Sequence, residues 1–336
     1  MAHGIPLSRA AQVLPFLDTL DRLGAPTENI LERCKLPPSL RERPGMLVGT
    51  RTAFGFVDEM GRREGIEDFG WRAADPGLTQ MTPGLRCALS RSPTLFHALE
   101  RMCAGATGES SSVAFWLEER RDAVFLCHRG SLEVGVPGSR DASLMRTAII
   151  ISVIRLFTDP DWVPVECGLA LEGEIGPVVR EALRDARIRR TPDHGWLRLP
   201  RSILARPPRT RVPVEARAGT EADEEPALDL VGSLAQAVRP YLIQGGPSVR
   251  VAAEMAGTSV RSLQRELARA GSSYRNVLLS VKFDTACEVL KQPGAKILDA
   301  AHASGFSDQA HFTRFFRSLA GSTPHEYRSS QLQEDS

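Results

Sequence analysis

Residues 206–226, RPPRTRVPVEARAGTEADEEP, hold four prolines and an acidic cluster with little apolar periodicity. A stretch of that composition does not join a packed core and reads as a linker. It divides the chain of 336 residues into pieces long enough to bury cores of their own, in keeping with the two domains such a length favours. The boundaries that follow are a domain over 1–205, a Pro-rich acidic linker over 206–227 and a second domain over 228–330.

The two pieces have different periodicities. Upstream, apolar residues at Val13, Leu14, Phe16, Leu17, Leu20 and Leu23 lie on one helical face. Residues 30–34, 54–63, 142–157 and 177–186 read as further helices. Ser92-Pro93 before TLFHALERMCAG gives a capped helix start with Pro at the first helical position. Alternation over 113–119 and 123–128, separated by Glu119-Arg-Arg-Asp122, predicts a hairpin, and 163–171 and 195–199 read as strands. The sum is an α/β domain with helices on a small sheet. Downstream the period is helical throughout, which predicts an all-α domain.

The downstream domain carries one unit twice. Val249 to Ala256 reads as a helix capped by Ser248, Gly257-Thr258 as a turn, and Val260 to Ala270 as a second helix capped by Ser259. A helix-turn-helix needs a small residue where the helices cross and a residue tolerating positive φ in the turn. Ala253 and Gly257, four apart, meet both needs, and Ala301 and Gly305 repeat the pattern. The second copy reads as Ile297 to Ser304 followed by Asp308 to Ala320, capped by Ser307, with Phe312, Phe315, Phe316 and Leu319 inward. Tyr274 to Leu290 reads as a long helix joining the two lobes, and Thr323 to Arg328 as a final capped turn. Arg261, Gln264 and Arg265 then point outward from the first copy, and Gln309, His311 and Arg314 from the second. Arginine, glutamine and histidine in those places suit hydrogen bonding to base edges in a major groove. Arg250, Arg275 and Lys282 read as phosphate contacts. Over 231–330 there are 12 Lys and Arg against 7 Asp and Glu, whereas the whole chain nets only +1, so the basic excess is local to the part expected to meet a polyanion.

GTSVRSLQREL, GSSYRNVL and GFSDQAHFTRFFRSLAGSTPHEYR resemble the paired helix-turn-helix signature of AraC/XylS-type transcription regulators, over about 95 residues from Leu234 to Arg328. Lys296 stands where that signature usually has a capping Ser or Thr, and Ala310 and Ala320 replace a common Ser and a common aromatic; the reading positions are unaffected. PLSRAAQVLPFLDTLDRLG, FGWRAADPG, LSRSPTLFHALERM and LPRSILARPP resemble the effector-binding and dimerisation domain of the branch that includes ornithine-utilisation regulators. The resemblance implies a ligand-responsive activator of a metabolic operon in the cytoplasm. Its partners would be double-stranded operator DNA, RNA polymerase, a small metabolite and a second copy of the chain, with no cofactor, metal or membrane.

A ligand pocket is expected between the 113–128 hairpin and the 142–157 helix. Trp116, Phe125 and Trp162 are candidates to line it, or else to fill core. Arg146 and Arg155 stand nine residues apart on one helix and face opposite ways, so at most one enters the pocket. An inward Arg suits a carboxylate ligand; an amine would instead need Asp141 or Glu133. An enzyme is disfavoured, since residues 1–230 hold no G-x-S-x-G, Walker A or Gly-rich dinucleotide loop and no Cys-His dyad. The six cysteines form no C-x-x-C pair, and no Cys stands at helix or strand spacing from His97, His128 or His194, which reads against a metal site. The remaining alternative is a redox sensor using Cys103, Cys127 or Cys167. No basic leader precedes an apolar run, and the most apolar stretch, 148–157, contains Arg155 and is too short to span a bilayer.

Overall fold

The computed structural model describes residues 4–74, 78–132, 135–209 and 224–334. The chain splits into two units, one over Pro6–Pro226 and one that joins Met1–Ile5 to Ala227–Ser336.

The first unit is α/β. Strand β1 (Leu7–Arg9) leads through a 3-10 turn into helix α1 (Leu14–Arg22), then α2 (Thr27–Arg33) and β2 (Leu47–Gly49), which pairs antiparallel with β1. Helices α3 (Thr50–Arg63), α4 (Phe69–Ala73), α5 (Pro83–Ser90) and α6 (Leu95–Glu109) follow. The α6 cap is Thr94, whose hydroxyl accepts from the His97 amide; Ser92 and Pro93 lie before it. Strands β3 (Val113–Glu119) and β4 (Ala123–Gly130) form the expected hairpin, and helix α7 (Ser139–Arg155) runs from it to β5 (Glu166–Ala170). Helix α8 (Pro177–Ala182), β6 (Arg187–Thr191), β7 (Gly195–Pro200) and the short α9 (Arg201–Leu204) close the unit. The main sheet has the order β3-β4-β7-β5-β6, with β5 and β6 parallel and the other pairs antiparallel.

Helix α7 organises two cores. Ile150, Ile151, Val153 and Ile154 pack on Leu126, Cys167, Leu169 and Leu197 of the sheet. Met145, on the same helix, belongs instead to the core of α1–α4 around Phe16, Leu17, Leu20, Phe56 and Met60. A helix buried on several sides reads as apolar all round, which is why 142–157 looked so hydrophobic in the sequence. The opposite sheet face carries a smaller cluster of Ala123, Phe125 and Cys127 with Trp116 and Trp196.

The second unit is all helical. Helix α10 (Leu230–Val238), capped by Asp229, precedes a 3-10 turn and was not anticipated. Helices α11 (Val249–Met255) and α12 (Val260–Arg269) form the first helix-turn-helix, α13 (Tyr274–Lys291) is the joining helix, and α14 (Ile297–Ala303) and α15 (Gln309–Ala320) form the second. The chain then continues as a full helix, α16 (Pro324–Glu334), where only a capped turn was expected. Val277 and Val281 of α13 pack into the first core with Leu234, Ala252, Leu263 and Leu267. Ala286 and Leu290 pack into the second with Ala301, Phe306, Phe312 and Phe316. One helix thus contributes a wall to each lobe. Leu319 departs from its expected inward position and is 50% exposed. Gly4 and Ile5, assigned by sequence to the first domain, belong to this unit: Ile5 is buried in the first lobe's core, and its amide donates to Ser233 Oγ at 2.7 Å.

Candidate nucleic-acid interface and effector site

The two reading helices are started by side-chain caps, which supply acceptors for backbone N–H groups that a helix start leaves unpaired. Ser259 Oγ accepts from the Ser262 amide at 3.1 Å. In the second copy the cap is Asp308 rather than Ser307; its carboxylate accepts from the amides of Ala310 at 3.0 Å and His311 at 3.1 Å. Those two amides hold the Asp308 carboxyl below its usual range. Asp308 has two carboxylate oxygens for two donors, which Ser307 could not match. At α14, Asp299 reaches back to accept from the Lys296 amide at 2.9 Å, so the missing Ser or Thr is offset by the acidic residue three positions on.

Each reading helix buries its fourth and eighth residues, Leu263 and Leu267 in α12, Phe312 and Phe316 in α15. That fixes the register of everything else. Arg265 and Arg314 both stand two positions after the first buried anchor, so they are equivalent side chains in the two copies. Arg261, Gln264 and Arg265 are exposed, as are Gln309, His311 and Arg314. The His311 ring meets Phe306 edge-on at 5.2 Å, so its orientation is set by the lobe's core. Arg250 and Arg275 are exposed on the same unit. Lys282 is half-buried: its ammonium lies 4.7 Å from the centre of the Phe306 ring and donates to the Gly305 carbonyl at 3.5 Å. Lys282, read from the sequence as a phosphate contact, thus lies against the second lobe with part of its side chain exposed. Tyr274 packs beside the first lobe, its hydroxyl donating to the Pro247 carbonyl.

Two cavities of the first unit border Arg146. The smaller, about 90 Å³, is walled by apolar side chains including Val13, Phe16, Met81, Met102 and Met145, and by Arg146. The larger, about 480 Å³, is lined by His128, Arg129, Ser131, Ser143, Arg146 and Asp193 among others. Arg146 is common to both. Of the hairpin and α7 residues where the sequence placed a pocket, Val113, Phe115 and Arg146 border the smaller cavity. Trp116 and Phe125 do not. Strand side chains alternate between faces, and Trp116, Phe125 and Cys127 share the face turned away from α7. Trp162 packs against the sheet-helix core, and its carbonyl accepts from Arg155 Nε at 2.9 Å. Arg155 is thereby accounted for, and Arg146 is the arginine that enters. The Asp141 carboxylate accepts from the Gly70 amide at 2.8 Å and borders neither cavity. Glu133 lies outside the described residues.

His128 is buried beside these cavities, with Nε2 3.2 Å from Thr147 Oγ1 and no partner at Nδ1 among the described residues. Burial, and then the Arg146 charge, hold it well below its ordinary pKa of 6.5. The folded state disfavours the charged ring, so the unfolded state binds the extra proton first. Stability is intact above pH 6.5 and falls as the pH drops below it, by up to about 1.4 kcal/mol per pH unit until the folded-state pKa is reached. Unfolding midpoints at pH 7.5 and 5.5 should show this loss in the wild type and a smaller one in His128→Gln; parallel slopes would refute it.

Burial pushes the Cys103 thiol up to about 11 and those of Cys127 and Cys167 to about 12. Protonated, buried thiols are poor nucleophiles, which weighs against the redox reading. Spacing along the sequence did not show that the fold brings Glu118 and Cys127 near His194. One ligand-capable atom each of Glu118, Cys127 and His194 lies within 4.8 Å of the others. The Glu118 carboxylate is already engaged by Trp116 Nε1 at 2.9 Å and by Arg120 at 3.3 Å. Among the described residues no helix is long and apolar enough to cross a membrane.

Two helix-turn-helix lobes built on a shared helix, each presenting a capped second helix with an outward arginine, define a DNA-binding protein. Residues 252–330 match the family described as "Helix-turn-helix domain", and residues 24–208 match "Arabinose-binding domain of AraC transcription regulator, N-term". The latter covers more than half of the chain, and the chain belongs to the AraC family of transcription regulators. It is 31% identical over 138 residues to the ornithine utilization regulator of Pseudomonas aeruginosa, a match spanning 40% of this chain and 41% of that one. It is 24% identical to the HTH-type transcriptional regulator VirS of Mycobacterium tuberculosis, with 96% of both chains covered. Among solved structures, the transcriptional regulator CdpR from Pseudomonas aeruginosa aligns over 90% of this chain and 96% of that one, at 17% identity and a TM-score of 0.37.

Proposed function

We propose that this AraC-family protein is a ligand-responsive activator of a metabolic operon, reading its operator with α12 and α15 in two successive major grooves. The observation that supports the reading most is the equivalence of the two copies: in both, the buried anchors turn Arg265 and Arg314 outward at the same helical position. Arginine forks pair with guanine O6 and N7. Arg261, Gln264, Gln309 and His311 flank those arginines as further base contacts, and Arg250 and Arg275 fall to phosphates. The first unit is the sensor, consistent with its family match and its two cavities. In this reading it pairs with a second copy, and the segment 206–227 lets two reading heads adapt to repeated operators. An activator of this kind works with RNA polymerase.

Selection of bound sequences from a randomised DNA pool by the full chain tests the reading. The expected product is a site with two conserved clusters about one helical turn apart, on the order of 10 base pairs. Recovery of sequences with no shared pattern would overturn it.

A further inference from the structure

The larger cavity of the first unit has a polar lining that includes Asp193, and among the described residues no ion pair or hydrogen bond engages the Arg146 guanidinium at its edge. Arg146 projects from the middle of α7 to the junction of both cavities. Its guanidinium lies against Gly130, at the end of β4, where a Cβ would come within 3.3 Å of Nη2. Glycine at 130 leaves the space that the head group occupies. Nε is buried, and among the described residues it has no hydrogen-bond partner. Burial draws its pKa down to about 10, which still leaves it charged at neutral pH. A partly buried cation without a partner is unfavourable, so a fold that keeps one gains when an anion arrives.

We propose that Arg146 is the anchor for a small carboxylate effector whose polar body occupies the larger cavity beside His128, Ser131 and Ser143. The proposal rests on the sensor reading above and narrows it to a chemical class. The guanidinium fork matches a carboxylate with two parallel N–H donors. The orphan Nδ1 of His128 and the hydroxyls of Ser131 and Ser143 suit hydroxyl or keto substituents. The apolar cavity on the other side of Arg146, about 90 Å³, is far below the usual few hundred Å³ of a ligand pocket. It admits a short alkyl group, which argues for a polar acid over a fatty acid. Asp141, the acid expected to meet an amine, is held by the Gly70 amide and borders neither cavity.

Thermal unfolding of the full chain tests this with lactate, 2-oxoglutarate and gluconate, their uncharged relatives lactamide and glucose, hexanoate, and inorganic phosphate. At least one of the three polar acids should raise the wild-type midpoint by several degrees, while lactamide and glucose do not. Arg146→Met should abolish that response and leave the unliganded midpoint equal to or above the wild type, because a partly buried, unpaired charge is removed. Arg146→Lys, which keeps the charge without the fork, should bind about tenfold more weakly. No response to any polar acid, an equal response in Arg146→Met, or an unliganded Arg146→Met midpoint well below wild type would each overturn the proposal. A larger response to phosphate would assign the site to phosphate and overturn the carboxylate class; a larger response to hexanoate would overturn the polar one. A response to glucose alone would sink the Arg146 assignment while leaving the sensor reading intact.

Discussion

Replacing Gly305 by alanine is expected to destabilise the helical unit by about 3 kcal/mol or more, adding a steric clash to left-handed backbone strain. Gly305 forms the turn of the second helix-turn-helix with φ at +77°, and a Cβ there would lie 2.1 Å from the Leu242 carbonyl oxygen. Leu242 belongs to the first lobe's core, so the two lobes meet backbone to backbone at this glycine. No rotamer change relieves such an overlap; the lobes must part. Gly271, with φ at +72° and no atom within 4 Å of its virtual Cβ, is the natural control. Gly271→Ala carries only the cost of the positive φ, about 1–2 kcal/mol. Denaturant unfolding of both variants separates the two contributions, and equal losses would show that the lobes do not touch at Gly305.

The helix-turn-helix pairs were legible because several local signals agree there. Ser caps in the first copy, and in both a small residue four before a turn glycine and a helical apolar period, point to one geometry. The same agreement was missing elsewhere. Strands β1 and β2 are three residues each, too short to show alternation, and β6, RIRRT, is a mostly polar strand at the sheet edge. Helix α10 had a readable signal, Asp229 ahead of an apolar run, but it fell beside the linker. Every residue from Ala123 to His128 is buried, so alternation could not say which face of β4 meets α7, and Trp116 and Phe125 stayed open between pocket and core; they pack in the cluster on the far face. Leu319 shows the converse error. It continues the Phe312-Phe315-Phe316 pattern, yet α15 turns it out of the stripe set by Phe312 and Phe316. The Arg146 site was half legible: nine-residue spacing showed that Arg146 and Arg155 could not both face inward, but only the fold shows that Arg155 is taken by the Trp162 carbonyl.

The two equivalent arginines are expected to read bases. A selected operator and a scrambled duplex of equal length, titrated at one salt concentration with wild type, Arg265→Ala, Arg314→Ala and the double variant, test it most directly. Each single variant should lose about 1–3 kcal/mol on the operator, up to roughly a hundredfold, with far smaller losses on the scrambled duplex. Leu263 anchors Arg265 in one core and Phe312 anchors Arg314 in the other, so the two losses should nearly add. Equal losses on both duplexes would reduce the arginines to phosphate contacts, and no loss on either would contradict the account.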